Sequence, residues 1–205
     1  SIFHALTQKA VARRFAHETG KKYEELRLII AHLGGGISVG AHEYGKVIDV
    51  NNALDGDGPY SPERSGSLPM NAFANLCFSG KYDYPTVKKM ITGKGGMVAY
   101  LNSNDAYEIE KKALAGDKEA NLIYEGMAYQ VAKEIGACAA VLSGKVDAVI
   151  VTGGVARSEI VCKWISERVE FIAPVKIYPG EDEMQALNES AYYAMSGELE
   201  MKEYK

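Results

Sequence analysis

The feature that most constrains this chain is the stretch LIIAHLGGGISVG at residues 28–40. A run of strand-forming residues meets three successive glycines. Alternation then resumes, with Ile37, Val39 and Ala41 apolar and Ser38 and His42 polar. That alternation predicts a half-buried strand, and the short connection makes the two strands antiparallel. Beyond the turn at Tyr44, Gly45 and Lys46, residues 46–50 read as a third strand, so residues 26–50 are expected to form an antiparallel meander.

A hairpin tip of Gly34, Gly35 and Gly36 has no side chains. Its backbone N–H groups can lie against a phosphate chain, and His32 beside it can donate to a phosphoryl oxygen. The structural alternative is a tight turn with a buried histidine. Three glycines next to His and Ser favour the ligand. Two better-known phosphate loops do not fit. The dinucleotide fingerprint requires glycine where Val39 stands, followed by a helix. The pair Gly93-Lys94 is followed by Gly95, not by the hydroxyl residue of a Walker loop.

The rest of the chain alternates helices and strands. Residues 2–17 have helical apolar spacing. Residues 51–68, NNALDGDGPYSPERSGSL, form a long polar loop of a length that is often functional. Helices are expected at 69–78 and 85–91, each with proline near its first turn. A second glycine-rich loop, GKGGMVAYLNSN, covers 93–104. Helices follow at 105–115 and 118–142. A buried strand at 146–151 runs into Thr152, Gly153 and Gly154, then a helix at 158–169, a strand at 174–178 and a closing helix at 185–195. This order predicts an α/β fold with a mixed sheet. Gly153 and Gly154, at a strand's carboxyl end before a helix, form a second place where a ligand can meet backbone.

Composition narrows the function. A chain of 205 residues that is 47% hydrophobic can bury a sizeable core. A formal net charge of −4 without a basic run gives no basis for a nucleic-acid or membrane-surface partner. Cys77, Cys138 and Cys162 lack metal-ligand spacing and read as reduced thiols of a cytoplasmic protein. No stretch approaches the ~20 apolar residues of a membrane span. The start at Ser1, inside a functional-looking stretch, reads as the second part of a longer protein.

The stretches IFHALTQKA, AHLGGGISVG, VIDVNNALDGDGPYSPERSGSLP, VTGGVARSE and YPGEDEMQALNESA, in that order, resemble the acetate and butyrate kinase family. The resemblance runs over essentially the whole chain. It implies an actin-like ATPase (ribonuclease H-like) domain: the three-stranded meander continues into a mixed sheet with helices on both faces. It further implies that residues 1–205 are the C-terminal, nucleotide-binding domain of a two-domain acyl kinase. The implied reaction is reversible phosphoryl transfer between ATP and a short-chain carboxylate, giving an acyl phosphate and ADP. At least a dimer is expected, because members of this family associate through this domain.

By the same resemblance, His32 and Gly34 to Gly36 form a phosphate loop, and His4 lies near the transferring phosphoryl group. Arg64 stabilises charge on it, where the structural alternative is a surface arginine paired with Glu63. Gly153, Gly154, Val155, Arg157 and Ser158 match the adenosine motif. Asp105 matches a nucleoside contact, and it is equally suited to cap the helix that follows. Asp182 or Glu183, with Glu183 the first choice, is the acid associated with Mg2+, although acids at a helix start are favoured by the dipole alone. Arg157 stands where acetate kinases carry an acid. The tip is GGG where they carry a bulkier polar residue. Both departures point to the butyrate branch of the family. The rival reading is a non-catalytic, actin-like nucleotide-binding module that regulates a partner.

Overall fold

The computed structural model describes residues 2–180, 188, 191–192 and 194–197. A five-stranded sheet is its centre, in the order β3-β2-β1-β4-β5. The strands are β1 (Arg27–Leu33), β2 (Ile37–Glu43), β3 (Lys46–Val50), β4 (Ala148–Gly153) and β5 (Val175–Pro179). β1, β2 and β3 pair antiparallel, whereas β4 is parallel to both β1 and β5. The meander and the mixed sheet expected from the sequence are both present.

Period-two alternation decides what each face meets. Ile29, Ala31 and Leu33 of β1 and Val149 and Val151 of β4 point to one core. It is closed by α5 (Ala106–Leu114), α6 (Lys118–Val141) and α7 (Glu159–Val169). Leu28, Ile30, Ala148 and Ile150 point the other way, onto Ala12, Phe15 and Ala16 of α1 (Ala5–Glu18). Helices therefore cover both faces, and β1 and β4 are buried on both sides. Asp105, Asp117 and Ser158 cap α5, α6 and α7, each accepting backbone N–H groups of the first turn.

Two short helices, α2 (Met70–Cys77) and α3 (Tyr84–Ile91), follow the long loop as expected. The segment 93–104 differs from its reading as a loop, because it contains α4 (Gly96–Leu101). Its glycines are there for close backbone approach: a Cβ on Gly95 would stand 2.5 Å from the Ser65 nitrogen, and one on Gly96 would be 2.6 Å from the Arg64 carbonyl oxygen. Residues 2–4 also differ, since α1 begins at Ala5 with His4 as its N-cap residue. The closing helix expected at 185–195 lies largely outside the described residues, as do Asp182 and Glu183.

Gly153 belongs to β4 instead of following it. Its φ is +98°, and a Cβ there would stand 2.7 Å from both the backbone N and the carbonyl carbon of Leu33 on the neighbouring strand. Neither atom can move without breaking the β1 hairpin. Gly153→Ala is expected to destabilise the fold by about 3 kcal/mol. An unchanged urea midpoint would show that the strand has room to relax.

Candidate active site

β1 and β4 are parallel neighbours, with His32 opposite Thr152, so their carboxyl ends open on the same side. Ligands of α/β sheets bind beyond such ends. Here β1 delivers the glycine tip and β4 delivers Gly153 and Gly154. Within the tip, Gly35 is exposed and Gly34 and Gly36 are buried. The Gly34 N–H is engaged by the Gly36 carbonyl at 3.1 Å. That narrows the expected phosphate cradle to the amides of Gly35 and Gly36.

The long loop folds onto this tip. The Ser61 hydroxyl donates to the Gly35 carbonyl at 2.5 Å, and the Glu63 side chain lies against Gly35. The Arg64 guanidinium lies over Gly36, where any Cβ would collide with it. Arg64 is thus not a surface arginine held by Glu63. Its Nη1 donates to the Ala53 carbonyl. Its Nε is buried and has no hydrogen-bond partner among the described residues. A buried guanidinium N–H without an acceptor is costly unless an anion completes it.

The second glycine loop holds Arg64 in place. The amides of Gly93 and Gly95 both donate to the Glu63 carbonyl, at 2.8 and 3.3 Å. Those of Met97 and Val98 donate to Ser61 and Pro62, at 3.1 Å each. Thr92 bridges Arg64 in antiparallel fashion. Sequence reasoning did not connect these two loops, because no periodicity links them. The run of glycines was the only signal.

His4 and His32 form a stacked pair, with ring centroids 3.8 Å apart and planes 16° from parallel. His32 is fully buried and His4 is partly exposed. Burial, and then the charge His4 can carry, push the His32 pKa down to about 3, so its ring is neutral. The direct phosphoryl contact expected of His32 is not open in this arrangement. His32 supports His4 from beneath.

Beside the tip, a cleft of about 850 Å³ opens between α5, Tyr124 of α6 and residues 154–163. Its volume is within the range of small-molecule sites. Of the residues that match the adenosine motif, Gly154, Val155, Arg157 and Ser158 line it and Gly153 does not. Ser158 also accepts from Val161 N at 3.3 Å and bonds the buried Tyr124, whose pKa burial pushes up to about 12. Asp105 sits just outside the lining, and its Oδ1 caps α5 by accepting from Tyr107 and Glu108. Tyr107, Glu110, Lys111 and Lys163 also line the cleft and were missed. Their signal was present, because Tyr107, Glu110 and Lys111 share one face of α5 at i, i+3 and i+4.

Among the described residues, no group of three or more His, Cys, Asp or Glu could hold a metal ion. The acids expected to take Mg2+ lie outside them. Among the described residues, no helix is long and apolar enough to cross a membrane.

Comparison with known proteins agrees with this geometry. Residues 2–189 match the Acetokinase family. The chain is 57% identical over 205 residues to Butyrate kinase 2 of Clostridium acetobutylicum, and 60% identical to Butyrate kinase 1 of the same organism. A Probable butyrate kinase of Listeria monocytogenes is 56% identical over 204 residues. All of this chain is covered in each case, but it spans only 58% of each relative's length. Among solved structures, acetate kinase of Porphyromonas gingivalis superposes with a TM-score of 0.84 at 24% identity, over 93% of this chain and 54% of that one. A propionate kinase of Francisella tularensis gives 0.80 at 23%, over 91% and 54%. These two likenesses establish the actin-like fold. With the family match extending over nearly the whole sequence, the chain belongs to the acetokinase family.

Proposed function

We propose that residues 1–205 are the nucleotide-binding, C-terminal domain of a two-domain carboxylate kinase. It would transfer a phosphoryl group reversibly between ATP and a short-chain carboxylate, butyrate or a branched relative, giving acyl phosphate and ADP. The observation that carries the reading is Arg64: a guanidinium over a side-chain-free tip, with a buried N–H that lacks an acceptor among the described residues. The identity to butyrate kinases supports the choice of acid.

In this reading the nucleoside occupies the cleft lined by Gly154, Val155, Arg157 and Ser158, with Asp105 at its edge. The phosphates lie on Gly35 and Gly36. A carboxylate oxygen attacks the γ-phosphorus in line, and the bond from that phosphorus to the ADP oxygen breaks. No general base is required, because the acceptor is already an anion. The protein's task is to bring two anions together and spread the developing charge. Arg64 supplies a fixed cation and His4 a hydrogen-bond donor. Mg2+, when bound, neutralises phosphate charge, and Asp182 or Glu183 is its assigned acid. The reading includes a cytoplasmic protein that is at least dimeric. The exposed apolar side chains of Met70, Phe78 and Tyr84 are consistent with a partner surface.

The test is hydroxylamine trapping. The two-domain protein, given ATP, Mg2+ and butyrate, is expected to yield the hydroxamate of butyryl phosphate. No hydroxamate with any acid of two to six carbons would overturn the kinase reading and favour a non-catalytic nucleotide module. Mg-ATP at 100 times its Kd is also expected to stabilise the protein by about 2.7 kcal/mol in thermal melts. A melting temperature independent of nucleotide would remove the site itself.

A further inference from the structure

The sheet face beneath α1 is apolar along most of β1 and β4, but carries the polar Ser38 and His42 along β2. Ser38, Gly40 and His42 point at α1 there, directly opposite His32, Ile30 and Leu28 of β1. Gln8, fully buried on α1, reaches down between Ser38 and His42. Its Nε2 lies 3.2 Å from the Ser38 carbonyl oxygen and 3.0 Å from the Ser38 hydroxyl. Its Oε1 lies 2.9 Å from His42 Nε2. His42 Nδ1 lies 2.7 Å from the Tyr23 hydroxyl, and His4 Nδ1 lies 2.8 Å from the Ser38 hydroxyl.

Donor and acceptor counting gives this chain one direction. A backbone carbonyl only accepts, so the Ser38 carbonyl forces the Gln8 amide nitrogen toward it. The Gln8 oxygen then faces His42, whose Nε2 must carry the proton. Burial, reinforced by the charge of nearby Lys9, holds the His42 pKa down at about 4, so the ring has one proton only. Its Nδ1 therefore accepts from Tyr23. At the other end, the Ser38 oxygen accepts from Gln8 Nε2 and, at 3.4 Å, from the His4 backbone N–H. Both lone pairs are used, and its single hydrogen goes to His4 Nδ1.

We infer that Tyr23, His42, Gln8 and Ser38 form a one-way hydrogen-bond relay that sets the tautomer of His4, with Nδ1 the acceptor and the ring proton on Nε2. Gln8, His42 and Tyr23 act through Ser38, so they are positioning residues. Gly40 is part of the device. It sits inside a buried strand, where glycine is disfavoured, and its φ is not in the left-handed region. A Cβ there would stand 2.6 Å from Gln8 Oε1 and 3.3 Å from His42 Nε2. The glycine leaves the space that the carboxamide fills. A buried polar chain of this kind is stable only when every member is satisfied, and then it specifies one arrangement. The tautomer stands independently of the reaction, whereas any effect of that tautomer on phosphoryl transfer rests on the kinase reading.

The experiment is long-range proton–nitrogen NMR of the 205-residue chain with 15N-labelled histidine, His4 and His42 being assigned by single replacements. At pH 7.5 both rings are expected as neutral Nε2–H tautomers. Gln8→Glu presents an acceptor to Ser38, turns its hydroxyl round and moves the His4 proton to Nδ1. Gly40→Ala, which removes no polar group, is expected to mix the His4 tautomers. His4 found as Nδ1–H in the unaltered chain overturns the relay, and so does a His4 signal unchanged in a folded Gln8→Glu variant. Should Gln8→Glu not fold, the unaltered chain and Gly40→Ala decide. In the two-domain protein, Gln8→Glu is expected to lower kcat ten- to a hundred-fold with KM for ATP within two-fold. A tautomer change with unchanged kcat would overturn the catalytic use of the relay while leaving the kinase reading intact.

Discussion

Arg64→Ala is expected to lower turnover of acyl phosphate formation by about 10²- to 10³-fold, with KM for ATP changed far less. In phosphoryl transfer, charge spreads over the equatorial oxygens as the reaction proceeds, so a cation fixed in advance acts mostly on the transition state. The structure fixes this one from three sides. Glycine amides hold the Glu63 carbonyl, Thr92 bridges the Arg64 backbone, and the Ala53 carbonyl accepts from Nη1. Arg64→Lys should recover only part of the rate, because an ammonium cannot reproduce the planar fork. Gly36→Ala is a companion measurement. The new methyl pushes against the guanidinium, a movable group, so the expected cost is turnover and not folding. Steady-state rates with hydroxylamine trapping check both. Full kcat in Arg64→Ala would place the arginine outside the chemistry.

Acid should unfold this protein unusually early. His32 and His42 are buried and neutral, with pKa values held at about 3 and about 4 by burial above all. In the unfolded chain each titrates near 6.5. Below that pH the unfolded state binds protons that the folded state refuses, so stability is complete above about 6.5. It falls as pH drops toward the folded pKa values. Linkage, approaching about 1.4 kcal/mol per pH unit for each group below pH 6.5, gives a loss of roughly 4 kcal/mol between pH 7.5 and 5. Glu134, whose pKa burial raises, works in the opposite sense and only in the carboxylate range. Against a total stability of ~5–15 kcal/mol, that loss is large. Urea midpoints at pH 7.5, 6.5 and 5 measure it. A midpoint that does not move over this range would mean the two rings are protonated in the folded state.

The hairpin was legible in residues 28–40 because alternation and a glycine run are local signals. The same alternation set Ser38 and His42 apart from Ile37, Val39 and Ala41, which placed them on the face opposite the main core. The cap at Asp105, the glycines before the last cleft-lining helix and its start at Ser158 were legible for the same reason, whereas Val155 and Arg157 were named through the family resemblance. Residues 93–104 read as one loop in the sequence; Gly93–Gly95 is loop, but α4 at Gly96–Leu101 was missed, and the segment's contact with residues 61–65 is one that no spacing announces. His32 was expected at the ligand. Its actual burial depends on His4, which arrives from the N-terminal end of a different element.

By itself, the sequence determined most of the elements and their order, because helix and strand periods, caps and turn glycines are written in residues a few positions apart, and the family through the resemblance of its motifs. Only the tertiary structure decided that Arg64 lies over Gly36, that β1 ends beside β4, and that Gln8 meets Ser38 thirty residues away. Those contacts are selected by packing of the whole chain. Each depends on backbone approaches and donor–acceptor counts that exist only once the sheet is assembled.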